Sequence, residues 1–129
     1  MPKTGDSFIA VLKKPHMEWG SHRHTKSRGI RYGEGYIQIP ASIARSLFIT
    51  NNNRGSGATY TCSSSDMFLE DVMLLASGCG TKGGIYAKQF QGKGKLTLLG
   101  GWFAHIGAKE GDQIEVKFLT PSKILLTKI

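Results

Sequence analysis

Apolar and polar positions alternate along much of this chain with a period of two, the pattern of strands that bury one face. Ser7 to Lys14 (SFIAVLKK) alternates loosely and predicts a first strand. Gly35 to Pro40 (GYIQIP) sets Tyr36 and Gln38 on one side, Ile37 and Ile39 on the other. Pro40 suits the end of that strand and the entry to a helix, where its fixed φ is helical and its missing N–H is not needed. In Ala41 to Phe48 (ASIARSLF) the pairs Ile43/Leu47 and Ala44/Phe48 recur at helical spacing, predicting a short amphipathic helix. Asn51 to Gly57 is a run of turn formers.

The second half predicts further strands at Ala58–Ser64, Leu69–Ala76 and Ile85–Phe90, with a polar turn at Ser65-Asp66 between the first two. Gln91 to Lys95 (QGKGK) follows as a basic, glycine-containing connection, after which Leu96 to Leu99 resumes apolar character. Gly101 to Ile106 (GWFAHI) predicts one or two helical turns. After Gly111-Asp112, a strictly alternating strand points Ile114, Val116 and Phe118 inward, and Pro121-Ser122 turns the chain into a last strand at Ile124–Thr127. Short strands, tight glycine-rich turns and two short helices predict a mainly β, barrel-like sheet protein, organised as a single domain over residues 1–129.

One stretch breaks the pattern. From Pro15 to Gly33 the chain is nearly free of aliphatic residues and carries Arg23, Lys26, Arg28 and Arg31, with His16, His22 and His24 among them and only Glu18 opposed. Segments of that length without apolar periodicity are usually functional or disordered. A second basic segment, Lys82 to Lys95, holds Lys82, Lys88, Lys93 and Lys95 and no acid at all. Over the whole chain Lys and Arg number 17 against 9 acids, a formal charge of +8. Such an excess points to a polyanionic partner when it is concentrated in particular segments, as here.

The side chains in the two segments fit that partner being double-stranded DNA. Arg23, Arg28 and Arg31 can pair with guanine bidentately in the major groove, and Gln89 and Gln91 with adenine. Lys26, Lys93 and Lys95 are placed to hold phosphates, and the glycines beside Lys93 and Lys95 let the backbone come close. His22, His24, Ser27, Tyr32 and Lys88 complete the candidate DNA-binding set. Two ordinary solvated loops remain the plain alternative.

Catalytic patterns are weaker. Glu115-Val116-Lys117 has the E-x-K spacing of metal-dependent nucleases, but it falls on the solvent-facing positions of an alternating strand, with Asp112 too close in sequence to supply a ligand from a second strand. His24-Thr25-Lys26 has the H-x-K spacing of another nuclease class, yet Arg31 stands where that pattern needs Asp. Ser63-Ser64-Ser65 lacks the G-x-S-x-G context of a hydrolase elbow. Cys62 and Cys79 have no second pair for a zinc site and are expected as small core hydrophobes of a reducing compartment. No metal or cofactor is expected, and no enzymatic activity of the chain alone. No apolar run approaches the ~18 residues of a membrane helix and no signal peptide precedes the first strand, so a cytoplasmic protein without membrane association is expected.

The order of these elements resembles a known family. GYIQIPASIARSLFI is similar to the strand, I-P step and helix of the B-three DNA-binding domains of plant transcription factors. Downstream, Tyr86, Leu98, Gly101, Trp102, Gly111, Asp112 and Phe118 stand where that family has its aromatic strand, L-T-x-G-W element and G-D turn before the next strand. The same fold occurs in the effector or specificity domains of type II restriction endonucleases such as EcoRII, and the compact glycine-rich form resembles that branch more. The resemblance covers roughly residues 20 to 120. It implies a seven-stranded open pseudobarrel with two short flanking helices that grips the major groove with two arms: an N-arm at about 20–33 and a C-arm at about 88–95. These coincide with the two basic segments. It departs from the plant pattern in a longer, more basic N-arm and in Lys88 and Gln89, which replace part of an aromatic pair. It further implies a role in restriction or a related defence system, with a nuclease domain or subunit as a partner. Gly111-Asp112 is assigned to a turn and Trp102 to the core beneath the C-arm. Two readings of other classes stay open: a small nuclease using Glu115 and Lys117, and an RNA- or single-strand-binding module, for which only Trp19, Tyr32 and Tyr36 look free to stack on bases.

Overall fold

The computed structural model describes residues 2–13, 35–51, 58–78, 84–95 and 97–129. The alternating segments form seven strands and the helical segments two helices: β1 (Ser7–Val11), β2 (Tyr36–Gln38), α1 (Ala41–Ser46), β3 (Thr59–Ser64), β4 (Val72–Ser77), β5 (Gln89–Gly92), α2 (Thr97–His105), β6 (Gln113–Thr120) and β7 (Lys123–Lys128). They make one sheet in the order β1-β6-β7-β3-β4-β5-β2, antiparallel except where β3 pairs with β7. The two end strands, β1 and β2, approach one another, so the sheet curls into a nearly closed barrel. The fold is a mainly β, seven-stranded open pseudobarrel with two short helices.

Alternation decides what fills it. Phe8 and Ala10, Ile37, Tyr60 and Cys62, Leu74 and Ala76, Phe90, Ile124 and Leu126 all face inward and are buried. Ile114, Val116 and Phe118 do so as their spacing predicts. Three rings meet in the middle. Tyr60 lies 5.3 Å from Phe90 and 5.9 Å from Phe118, both edge-on, and Phe90 lies 6.5 Å from Phe118. Edge-to-face contacts at these separations suit the ring quadrupoles and add to the burial of large apolar surfaces. Cys62 is a free, buried thiol whose pKa is pushed up to about 12 by burial, in keeping with a core hydrophobe. Cys79 lies outside the described residues.

Several boundaries differ from the sequence pattern, each for a local reason. The strand expected at Ile85–Phe90 is one only from Gln89. Tyr86 makes a single bridge with Thr50, and the chain there runs beside Ile49–Asn51 through Ala87 N–H to Ile49 O and Asn51 N–H to Ile85 O. Buried Asn51 also donates from its amide to Gly78 O at 2.7 Å and Gly84 O at 3.0 Å, which sets where the chain re-enters. The ladder of β5 starts only at Gln89 and continues through Gln91 and Gly92, which the pattern assigns to a connection. β4 begins at Val72 rather than Leu69 because the preceding residues form an ordered turn. In it Ser64 Oγ accepts from Leu69 N–H, Ser63 Oγ accepts from Asp71 N–H, and Met67 and Asp71 take left-handed φ values of 67° and 47°. Leu98 and Leu99, expected only as apolar chain, belong to α2, which starts before Gly101. Among the described residues no helix is long and apolar enough to cross a membrane.

Gly92 is where the chain leaves β5 for α2, and it has no room for a side chain. A Cβ there would stand 2.0 Å from the Lys95 carbonyl oxygen and 2.7 Å from Leu98 Cβ. Gly94, in the turn, has φ +71° but open space around it. Gly92→Ala is therefore expected to cost about 3 kcal/mol through backbone displacement. Gly94→Ala should cost only about 1 kcal/mol, from the left-handed conformation alone. Thermal unfolding of the two variants checks the order; equal shifts in Tm would mean that the turn opens to accept the methyl.

Candidate nucleic-acid interface

Phe90 fixes the site. Its ring is fully buried, so its neighbours on β5, Gln89 and Gln91, must turn to the outer face of the sheet. Register then builds a surface from four strands. Gln89 stands opposite Gln38 of β2 and Ser77 of β4; Gln91 stands opposite Tyr36 of β2 and Leu75 of β4, which in turn faces Thr59 of β3. Gln89 Nε2–H donates to Gln91 Oε1 at 2.9 Å, a contact that the two-residue pleat permits along one strand face. Gln38 is exposed beside them.

The cations frame this surface. Lys93 N–H donates to Met73 O, and the Lys93 ammonium reaches back to Thr59 Oγ1 at 3.3 Å, over the outer face rather than away from it. Lys95 closes the turn, its N–H directed to Gly92 O and its carbonyl accepting from Leu98 N–H. Its residue borders a shallow groove shared with Phe68, Leu98 and Ala104. Lys88, exposed, precedes Gln89 at the other end of β5. From Val72 to Lys109 the chain has no acidic residue, so β4, β5 and α2 contribute no negative charge; β2 has none either.

Five of the sequence-predicted site residues, Lys88, Gln89, Gln91, Lys93 and Lys95, are thus brought together on one segment. The other eight, His22, Arg23, His24, Lys26, Ser27, Arg28, Arg31 and Tyr32, lie outside the described residues, as does Trp19. The attachment of the N-arm is described. It re-enters the sheet at Tyr36, whose register partner is Gln91, directly before the C-arm turn. Tyr36 itself is half-buried, not the free stacking ring the pattern suggests, and burial raises the pKa of its hydroxyl. Gln38 and Thr59 escaped the sequence reading because only strand register, which pairs residues far apart in the chain, puts them beside Gln89 and Lys93.

Behind the turn, α2 is anchored by a contact the sequence did not reveal. Trp102, buried as expected, donates from Nε1 to both carboxylate oxygens of Asp66, at 3.3 and 3.1 Å. Ser64 Oγ and Phe68 N–H also bond Asp66, His105 Nε2 lies 4.0 Å away, and the His105 ring stacks on Phe68 at 4.2 Å. The Ser64 hydrogen bond, the largest influence, outweighs the opposing effect of burial and, with the lesser contributions of Phe68, Trp102 and the His105 charge, holds the Asp66 carboxyl below its ordinary value.

Glu115 and Lys117 lie on β6, opposite Ile9 and Ser7 of β1 and Thr127 and Leu125 of β7. Asp112 is engaged in its turn, accepting from Lys109 N–H at 2.8 Å and pairing with Lys128 at 3.7 Å. Among the described residues no group of three His, Cys, Asp or Glu side chains could hold a metal ion. No protein-family model matches the chain, and no curated protein matches it.

A carboxyl held below its ordinary value favours the fold above that value, and its contribution disappears as pH falls through the folded value. Melting between pH 5 and pH 2 should therefore show wild-type Tm falling more steeply than that of Asp66→Asn. Parallel curves would mean that the Asp66 charge is not what ties α2 to the β3–β4 turn.

Proposed function

We propose that this chain binds double-stranded DNA sequence-specifically in the major groove. The C-arm, Lys88 to Lys95, and the basic N-arm act as two jaws, and the chain serves as the recognition or effector-binding unit of a restriction endonuclease or related defence system. The observation that carries the proposal is the register Tyr36–Gln91. It sets Tyr36, where one basic segment re-enters the sheet, against Gln91 within the other, with Gln38 and Gln89 beside them on an outer face that carries no acid among the described residues. Lys93 and Lys95 hold phosphates and fix the register on the duplex; Gln89 and Gln91 read base edges, adenine being the base whose major-groove edge an amide matches. The resemblance to B-three-like domains supports the same partner and the association with a nuclease domain or subunit. In this reading the chain itself cleaves nothing.

The electrostatic part has a direct measure. Every phosphate that a variant no longer neutralises lowers the slope of log affinity against log salt by about one. Replacing Lys93 and Lys95 by Ala together should weaken binding to every duplex and flatten the slope by about two. Selection from random duplexes should return one sequence for the wild-type chain, and Gln89→Ala should relax it at a single position by about tenfold. A salt slope unchanged in the double variant would remove the C-arm from the interface. Plasmid cleavage in magnesium that is abolished in Glu115→Ala would show instead a nuclease.

A further inference from the structure

Where β2 runs into α1, the structure leaves a hollow of about 220 Å³. Its walls are α1, the end of β2 and the segment from Gly84 to Lys88. It stays open because the residues that meet there are small: Ala41 and Ala44 from α1, Gly84 and Ala87 from the facing segment. The walls are tied by backbone bonds, Ile39 N–H to Lys88 O and Ala87 N–H to Ile49 O, both 2.9 Å. The hollow is therefore a fixed feature of the fold and not a gap between loose loops.

Four side chains at its border define what it can take. Arg45 and Lys88 are both exposed cations, and among the described residues neither has an acidic partner and no carboxylate lines the hollow. Two cations facing an acid-free concavity select an anion. Tyr86 adds an aromatic ring held in place edge-on by Phe48 at 6.0 Å, Phe48 itself being turned by a left-handed φ of 54° at the end of α1. Gln38 adds an amide whose donor and acceptor match a base edge. Gln38 also belongs to the outer row with Gln89, so the hollow opens at the end of the surface assigned above to DNA. A cavity of about 150 Å³ accepts benzene, and this one has room for a heterocyclic base.

The geometry points to a pocket for a single unstacked nucleotide: the base between Tyr86 and the Ala44–Ala87 floor with its edge on Gln38, the phosphate on Arg45 and Lys88. Its position at the end of the glutamine row rests on the DNA-binding reading; its ligand chemistry does not. The nucleotide can come from two sources, a residue turned out of a bound duplex or a free mononucleotide.

The test uses the full chain, with Ala41→Trp, which fills the hollow from its exposed rim, and Arg45→Ala, which removes the phosphate contact and leaves the cavity. Circular dichroism confirms that each variant folds. Titrations use deoxynucleoside 5′-monophosphates, inorganic phosphate, a paired duplex, and the same duplex with one extrahelical nucleotide. Mononucleotides are expected to bind with amide shifts confined to Gln38 and Ile39, α1 and residues 84–88, and more tightly than phosphate. The bulged duplex should be preferred over the paired one about tenfold. Both effects should vanish in Ala41→Trp and weaken about tenfold in Arg45→Ala, with paired-duplex binding unchanged. Mononucleotide binding without a bulge preference supports the pocket with a free nucleotide as its source. Phosphate binding as tightly as nucleotide, or a bulge preference that survives Ala41→Trp, overturns it. Neither mononucleotide nor bulge recognition, with the paired duplex still bound, sinks the pocket and spares the DNA-binding reading; mononucleotide binding with no duplex bound does the reverse.

Discussion

The structure depends on the meeting of Tyr60, Phe90 and Phe118 inside the barrel. Each ring comes from a different strand, β3, β5 and β6, and each must point inward for the interior to fill. Side chains alternate with a period of two, so a slip of one residue on any of these strands would expel its ring into water and bring polar neighbours inside. The packing of the interior thereby dictates the chemistry of the exterior. Phe90 within means Gln89 and Gln91 without, and the pairing of β5 with β2 and β4 then decides which polar groups share their surface.

The same economy governs the C-arm. It is no long finger but a tight reversal, closed by the Lys95 carbonyl lying against Gly92 and held from behind by α2, whose Trp102 grips Asp66 in the β3–β4 turn. A short, braced turn loses little conformational entropy when a ligand is bound, so lysines mounted on it can act with less ordering cost than lysines on a loose loop. Lys93 is already drawn over the sheet by Thr59. The charge of this region is a property of composition, but its focus is a property of the fold: the acid-free strands β3, β4, β5 and β2 lie side by side in the sheet.

Much of this was legible in the chain. Strict alternation at Ile114, Val116 and Phe118 announced β6, and the I-P step announced the passage from β2 to α1. What escaped had nonlocal causes. Ile85 to Lys88 has strand-like composition, yet Asn51, distant in sequence, holds that stretch by its carbonyls and leaves it a single bridge. Gly92 looks like a turn residue but ends a strand, because its missing Cβ admits the Lys95 carbonyl. The partnership of Trp102 with Asp66 and the place of Gln38 beside Gln89 both require the sheet order, which periodicity cannot supply. The hollow at Arg45 is an absence, made where four small residues happen to face one another, and single-strand patterns say nothing of such coincidences.

The position of β7 has a consequence for how the molecule comes into being. The seventh strand to be synthesised is inserted between β6 and β3, and through it alone the ladder β1–β6 is hydrogen-bonded to the ladder β3–β4–β5–β2 among the described residues. Until it emerges from the ribosome, the earlier strands can form only two separate half-shells with unsatisfied rims. Closure of the wall is thus deferred to β7, and a nascent chain stalled shortly before it would present two sticky edges in place of a finished sheet.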